Sequence, residues 1–377
     1  VRRKVTPSFQ ALSGLPGAAV LVVGITHPTA MLSRNLLGLI LVSLILWCEG
    51  CHSDKPTHQG RVPQGALGAS DSGAVIVASP IDAVSTATST ATSMEPRWYV
   101  ADAEADRILA VAADGRLQYT IGRRGAGPGE LKTPTAVGAA GDSVFVADLG
   151  NRRITTYSHH GRYLASRSAP TDCVAGSAAK IRATSRAVYV LYKCHLTKNE
   201  VQLRVVEFSG NSAFRTIIAD TVRARNRDIT PIAFPLFDMS GDRIVLGHGD
   251  DPCFKMLDPS APSTIERRCL ANVSRTKVAP DVVARLRRRA EEKLEVPDLL
   301  PHAISVVLRG DTIYLLHPIS DTQAEWVAVP LAAPAAPLVQ ISKPFIGSSF
   351  FDGISFLSFS GSDGGYVPKV ERFISPR

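Results

Sequence analysis

The sequence has none of the short motifs that announce a reaction. There is no Gly-x-Ser-x-Gly nucleophile elbow and no His-Glu-x-x-His zinc helix. The glycine-rich segment Gly122–Gly129 lacks the Lys-Ser/Thr of a phosphate loop and does not open a helix. Its glycines are read as permitting positive φ at a chain crossing. Beyond Cys51 no Cys-x-x-Cys pair occurs, which argues against a four-thiolate zinc site. Long apolar runs are also missing: the longest, Leu36–Trp47, is too short for a comfortable membrane span. Charge of one sign is not in marked excess. Setting aside Arg2, Arg3, Lys4, Arg34 and Glu49 of the expected leader, the 42 basic and 34 acidic residues fall to 38 and 33. So slight a surplus demands no nucleic-acid partner.

What is present is a globular composition, 45% hydrophobic and 20% charged over 377 residues. Met31 opens a short basic region, the apolar run, and then Cys48-Glu-Gly-Cys51. That order is a secretory signal over 31–51. Residues 1–30 show no signal organisation and are expected to be a mis-annotated N-terminal extension. Gly50 before Cys51 suits lipidation of Cys51, whereas Cys48 and Glu49 depart from a lipoprotein signal; ordinary cleavage and an uncleaved anchor stay open. Residues 52–94 are rich in Ser, Thr, Ala, Gly and Pro and are expected to be a flexible tether, with Ala74–Ala78 apolar enough for a strand.

Four cysteines remain, Cys173, Cys194, Cys253 and Cys269, which allow three pairings. Their spacing favours Cys173–Cys194 and Cys253–Cys269 in an oxidising compartment.

An internal repeat dominates the rest. Tyr99-Val-Ala-Asp102 recurs as Phe145-Val-Ala-Asp148, 46 residues on, and Arg107-Ile108 recurs as Arg153-Ile154. Gly141-Asp-Ser-Val-Phe-Val-Ala-Asp148 is echoed by Gly241-Asp-Arg-Ile-Val-Leu-Gly-His248 and by Gly310-Asp-Thr-Ile-Tyr-Leu-Leu-His317. A degenerate copy is Ser185-Arg-Ala-Val-Tyr-Val-Leu-Tyr192. Upstream of these turns lie apolar stretches, Thr135–Ala139, Lys180–Thr184, Leu236–Ser240 and Ile304–Leu308, expected to be innermost strands. Each unit is then a four-stranded antiparallel sheet, and residues 95–377 form an all-β, six-bladed β-propeller. The C-terminal strand near Val370–Ile374 or the segment Ala74–Ala78 is expected to close the ring. Pro280–Leu294 breaks the pattern: Val283, Leu286, Ala290 and Leu294 stand at helical spacing, so one short helical insertion is expected over about 280–295.

Residues 99–168 resemble NHL-type repeats. Gly122-Arg-Arg-Gly-Ala-Gly-Pro-Gly-Glu-Leu131 followed by Pro134 resembles the inter-blade linker of bacterial six-bladed propeller lipoproteins, and Asp148-Leu-Gly-Asn-Arg-Arg-Ile154 resembles their turn between second and third strands. The resemblance implies the propeller fold. Its implications for function divide between ligand-binding scaffolds and a minority of enzymes.

Repeat equivalence sets Asp102, Asp148, Tyr192, His248 and His317 at the same strand end, hence on one rim. Two carboxylates and two imidazoles around a funnel could hold calcium or zinc; propeller lactonases hold a calcium there, and in that scheme His248 or His317 would be the general base. The competing reading is turn capping by the acidic side chains, with Arg107 and Arg153 as salt-bridging residues. Two functions follow. One is an exported, monomeric cell-envelope scaffold without cofactor, joined to the membrane only through an anchor at Cys51, that binds a protein, peptide or glycan. The other is a metal-dependent hydrolase or lactonase.

Overall fold

In the computed structural model the described residues are 77–86, 97–171, 173, 177–197, 200–209, 214–223, 234–281, 283–284, 299–320, 323–342, 349–351, 355–362 and 365–372. The expected leader, Cys51 and most of the expected tether lie outside them.

Blade I is built from β1 (Pro80–Ser85), β2 (Arg97–Asp102), β3 (Arg107–Ala112) and β4 (Leu117–Ile121). Blade II follows with β5 (Pro134–Ala140), β6 (Ser143–Asp148), β7 (Arg153–Ser158) and β8 (Tyr163–Ser168). The strands of blade III are longer: β9 (Ser177–Ala183), β10 (Ala187–Thr197), β11 (Glu200–Ser209) and β12 (Arg215–Arg223). Blade IV has β13 (Pro235–Ser240), β14 (Arg243–His248), β15 (Cys253–Leu257) and β16 (Glu266–Cys269). Blade V has β17 (Ser305–Arg309), β18 (Thr312–Pro318), β19 (Ala324–Pro330) and β20 (Val339–Gln340). Blade VI shows β21 (Ser349–Phe351), β22 (Ser355–Ser362) and β23 (Gly365–Arg372), three strands among the described residues. All pairings are antiparallel between sequence neighbours, as hairpin-connected strands require.

The six blades close into a propeller because both faces of each sheet are covered. In blade I, Tyr99 and Ala101 pack with Val137 and Val146 of blade II, while Trp98 and Val100 pack with Leu357 and Phe359 of blade VI. Successive strand residues point to opposite faces, so two consecutive apolar residues serve two neighbours. The same arrangement recurs around the ring. One apolar cluster lies between blades II and III (Ile181, Val190), one between III and IV (Leu203, Phe237), one between IV and V (Val245, Leu315) and one between V and VI (Trp326, Phe351). This explains the near-continuous apolar runs of the inner strands, which a one-sided sheet would replace with alternation. Burial falls off outward: every residue of β5 is buried, and in β8 none is.

The recurrent Gly-Asp turn is a left-handed corner joining first and second strands. Gly141, Gly241 and Gly310 have φ of 53°, 57° and 52°, a region where a Cβ is strained. Both expected disulfides are formed: Cys173–Cys194 ties the II–III crossing to β10, and Cys253–Cys269 joins directly paired residues of β15 and β16. Residues 280, 281, 283 and 284 are helical, with the Val283 amide donating to the Ala279 carbonyl at 3.1 Å. The rest of the expected helix lies outside the described residues.

One boundary differs from expectation. β1, the innermost strand of blade I, lies at Pro80–Ser85 inside the stretch read as tether. The Ser/Thr/Ala composition masked a strand whose Ala83 and Val84 are buried against blades VI and II. The propeller therefore begins before residue 95, and Val77 packs at the junction of the first and last blades.

Candidate functional site

All five residues lie on the second strand of a blade: Asp102, Asp148 and His248 end β2, β6 and β14, His317 is one residue short of the end of β18, and Tyr192 lies inside β10, which runs on to Thr197. They do not share one task. The Asp102 carboxylate is fully buried; Oδ1 accepts the amides of Ala78 and Ser79 at 3.1 and 2.8 Å, and Oδ2 pairs with Arg107 Nε at 3.0 Å. Asp148 repeats the pattern. Its Oδ1 accepts the Lys132 amide at 2.8 Å, and its Oδ2 accepts from Asn151 Nδ2 at 2.7 Å and Arg153 Nε at 2.9 Å. In both blades the carboxylate fastens the chain entering the blade to the end of the second strand. Asn151 and Arg153 then bind the glycine-rich linker: Asn151 donates to the Gly125 carbonyl, and Arg153 donates to the carbonyls of Ala126, Gly127 and Glu130. These carboxylates are consumed in structure.

The other members differ. His317 Nδ1 lies 2.8 Å from the His302 carbonyl, and His302 Nδ1 lies 2.9 Å from the Val273 carbonyl. Burial pushes the His302 imidazole below its usual range, so its neutral form is favoured. Among the described residues His248 Nδ1 and the Tyr192 hydroxyl are buried and have no hydrogen-bond partner. Burial also raises the Tyr192 phenol above its ordinary value, keeping it a neutral donor. Among the described residues no three His, Cys, Asp or Glu side chains converge as a metal-ligating group.

Asp148 and Tyr192 line one shallow pocket between blades II and III, with room for about one water (about 20 Å³), whose walls include Leu149, Arg152, Ile154, Pro170 and the Cys173 half of the disulfide. Two of the five rim residues thus face one space, and the other three do not join them.

Sequence reasoning missed a second set, on the innermost strands. Asp82 of β1 pairs with Lys180 of β9 at 3.3 Å and accepts the Val137 amide of β5 at 3.1 Å. Asp238 of β13 accepts the Leu308 amide of β17 at 2.6 Å, is gripped by Arg182 of β9, and pairs with Arg309 at 3.4 Å. Thr135 Oγ1 donates to the Ala178 carbonyl at 2.8 Å. The inner strand of a blade is a sheet edge, so its outward backbone groups must find partners outside the sheet. Side chains of the next inner strand satisfy some of these groups and carry ion pairs from blade to blade. Burial alone would raise the Asp238 carboxyl, yet Arg182, Arg309 and the accepted hydrogen bonds outweigh it and hold the group below the usual carboxylate range. The available signal was a lone acid inside an apolar strand, Asp82 in β1 and Asp238 in β13, because a buried charge needs a partner.

No protein-family model matches the chain, and no curated protein matches its sequence. Solved structures do. A Bacteroides vulgatus protein from a domain family of unknown function aligns over 74% of this chain and 90% of its own, with TM-score 0.45 and 10% identity. A Bacteroides fragilis protein described as exported aligns over 67% and 70%, with TM-score 0.40 and 9% identity. A chain of a nidogen–laminin complex aligns over 71% and 80%, with TM-score 0.43 and 13% identity. At such scores the likenesses carry no functional reading; the propeller stands on its own strand order.

Proposed function

We propose that the protein is an exported cell-envelope propeller of the NHL-like lipoprotein type, a monomeric binding scaffold for a protein, peptide or glycan and not an enzyme. The observation that carries this reading is the engagement of Asp102 and Asp148. Both oxygens of each carboxylate already accept from backbone amides or side-chain N–H groups, which leaves little capacity for a metal or a reacting water. The two disulfides support an oxidising compartment. In this reading Cys51 carries the anchor, the membrane is met only there, and nucleic acid is not a partner.

The test is in-cell photo-cross-linking from rim positions of the full chain, run beside a lactone and phosphoester hydrolysis screen of the purified protein. A discrete envelope adduct without turnover is expected. Hydrolysis abolished by Asp148→Ala or His317→Ala in a folded protein would overturn the scaffold reading.

A further inference from the structure

The two disulfides sit in opposite settings. Cys173 and Cys194 are 5% and 1% exposed, inside the apolar cluster between blades II and III. Cys253 is half-buried, and Cys269 is exposed at the end of β16, the outermost strand of blade IV. Exchange needs an incoming thiolate to reach a sulfur. The first bond is therefore shielded until the core opens, and the second is accessible in the folded protein.

Little else holds β16. Its residues are Glu266, Arg267, Arg268 and Cys269, three exposed and one half-buried, so no aliphatic or aromatic side chain of its own anchors it. Across the pairing with β15, Glu266 faces Met256, Arg267 faces Lys255 and Arg268 faces Phe254. Like charges directly opposite weaken a strand pair. Each of the two has an acid elsewhere: Lys255 pairs with Asp220 of blade III at 2.6 Å, and Arg267, itself 63% exposed, lies 3.5 Å from Asp251. Past Cys269 the chain turns inward, with Leu270 and Val273 buried between blades IV and V. The disulfide thus pins a polar edge strand just before the chain re-enters the core.

We propose that Cys253–Cys269 is a redox latch: a dithiol reductant of the cell envelope opens it and frees β16 from β15, while Cys173–Cys194 stays closed. One reductant thiolate attacks Sγ of Cys269, the more exposed cysteine, and the bond to Cys253 breaks with Cys253 leaving as a thiolate. The second reductant thiolate then displaces Cys269 from the mixed disulfide. Two electrons reach the protein, the reductant becomes its own disulfide, and its two thiol protons end on Cys253 and Cys269. Release of β16 leaves the backbone groups of β15 that it paired with at an open sheet edge. The latch rests on the exported, oxidising location read above and is independent of what the propeller binds.

The test treats the full exported chain, folded and without denaturant, with dithiothreitol as the dithiol. Free thiols are trapped by alkylation and located by mass spectrometry, and amide hydrogen exchange is followed in parallel. Cys253 and Cys269 should be labelled first, with Cys173 and Cys194 about 100-fold slower or more. Exchange should rise in β16 and at residues 253–256, stay unchanged in blades I and II, and return to its starting level on reoxidation. The double variant Cys253→Ser/Cys269→Ser should show the same exchange pattern without reductant. Labelling of all four cysteines together, or of Cys173 and Cys194 first, would overturn the proposal. So would reduction of Cys253–Cys269 with exchange in β16 unchanged, because a bond that breaks without freeing the strand latches nothing. Four free thiols before any reductant is added would contradict the oxidising location itself, and the latch with it.

Discussion

Asp238, on the innermost strand of blade IV, accepts the backbone amide of Leu308 from the innermost strand of blade V at 2.6 Å. Asp82 does the same for Val137 between blades I and II, at 3.1 Å. A propeller buries six strand edges around its axis, and two of the junctions here are fastened by a carboxylate reaching to its neighbour's free amide. Arg182 and Lys180, both on β9 and two residues apart, face the same way and bind one carboxylate each, Asp238 and Asp82.

Removing the Asp238 charge leaves Arg182 and Arg309 facing a buried neutral amide. Asp238→Asn is expected to destabilise the protein by about 3–5 kcal/mol, because an unmatched buried charge costs more than the intact pair returns. Urea unfolding at neutral pH measures the difference.

The same residue sets an acid limit. Its folded-state pKa lies below the ordinary aspartate value of 3.8. Its contribution is therefore fully present above that value and is lost as pH falls through the lower folded-state value. Melting temperatures of wild type and Asp238→Asn should converge as pH drops below about 4 and stay separated at pH 6–8. Parallel curves across the acid range would show that Asp238 is not held ionised by its partners.

Asp148 and Arg153 are predicted to couple through structure alone. Each single alanine variant should destabilise, and the double variant should fall short of their sum by about 1.5–3 kcal/mol, the worth of a charged hydrogen bond away from water. Additive losses would mean that the 2.9 Å contact contributes nothing.

How much of this was legible in the sequence depended on periodicity. Gly141-Asp, Gly241-Asp and Gly310-Asp stood out because a left-handed corner tolerates few residue types, and those turns fixed the strand order. The strand-end positions were legible for the same reason. Their partners were not, since Ala78, Ser79 and Lys132 contribute only backbone amides, which any residue has. β1 was obscured because Pro80–Ser85 is short and sits beside a low-complexity run, and its strand character comes from packing between two blades. The axial pairs were hidden by distance along the chain: Asp82 meets Lys180, and Arg182 meets Asp238, only once the ring has closed.

Two glycines in blade II separate packing from backbone strain. A Cβ on Gly138 would lie 2.4 Å from Ile181 Cγ2 across the II–III junction, whereas one on Gly141 would meet nothing within 4 Å but would sit at φ 53°. Gly138→Ala is expected to cost about 1–3 kcal/mol through overpacking. Gly141→Ala should cost about 1–2 kcal/mol through strain alone. A smaller cost in an Ile181→Ala background, which lacks the clashing Cγ2, in the first case, and no such reduction in the second, distinguishes the causes in thermal melts.

Each disulfide closes a local loop, with sequence separations of 21 and 16. Replacing either pair by serines should cost about 2–4 kcal/mol, measured by denaturant unfolding of protein made in an oxidising compartment. Identical stability of oxidised and reduced protein would contradict a structural role for both.

Asp102 and Asp148 fasten blades, and on the proposed scaffold reading the strand-end column holds no catalytic metal. Metal content by mass spectrometry of the exported full chain, wild type beside Asp148→Ala, tests it most directly. No stoichiometric calcium or zinc is expected in either protein, and the variant should melt at a lower temperature. Stoichiometric metal in wild type that disappears in a folded Asp148→Ala protein would contradict it and make the propeller rim a reaction centre.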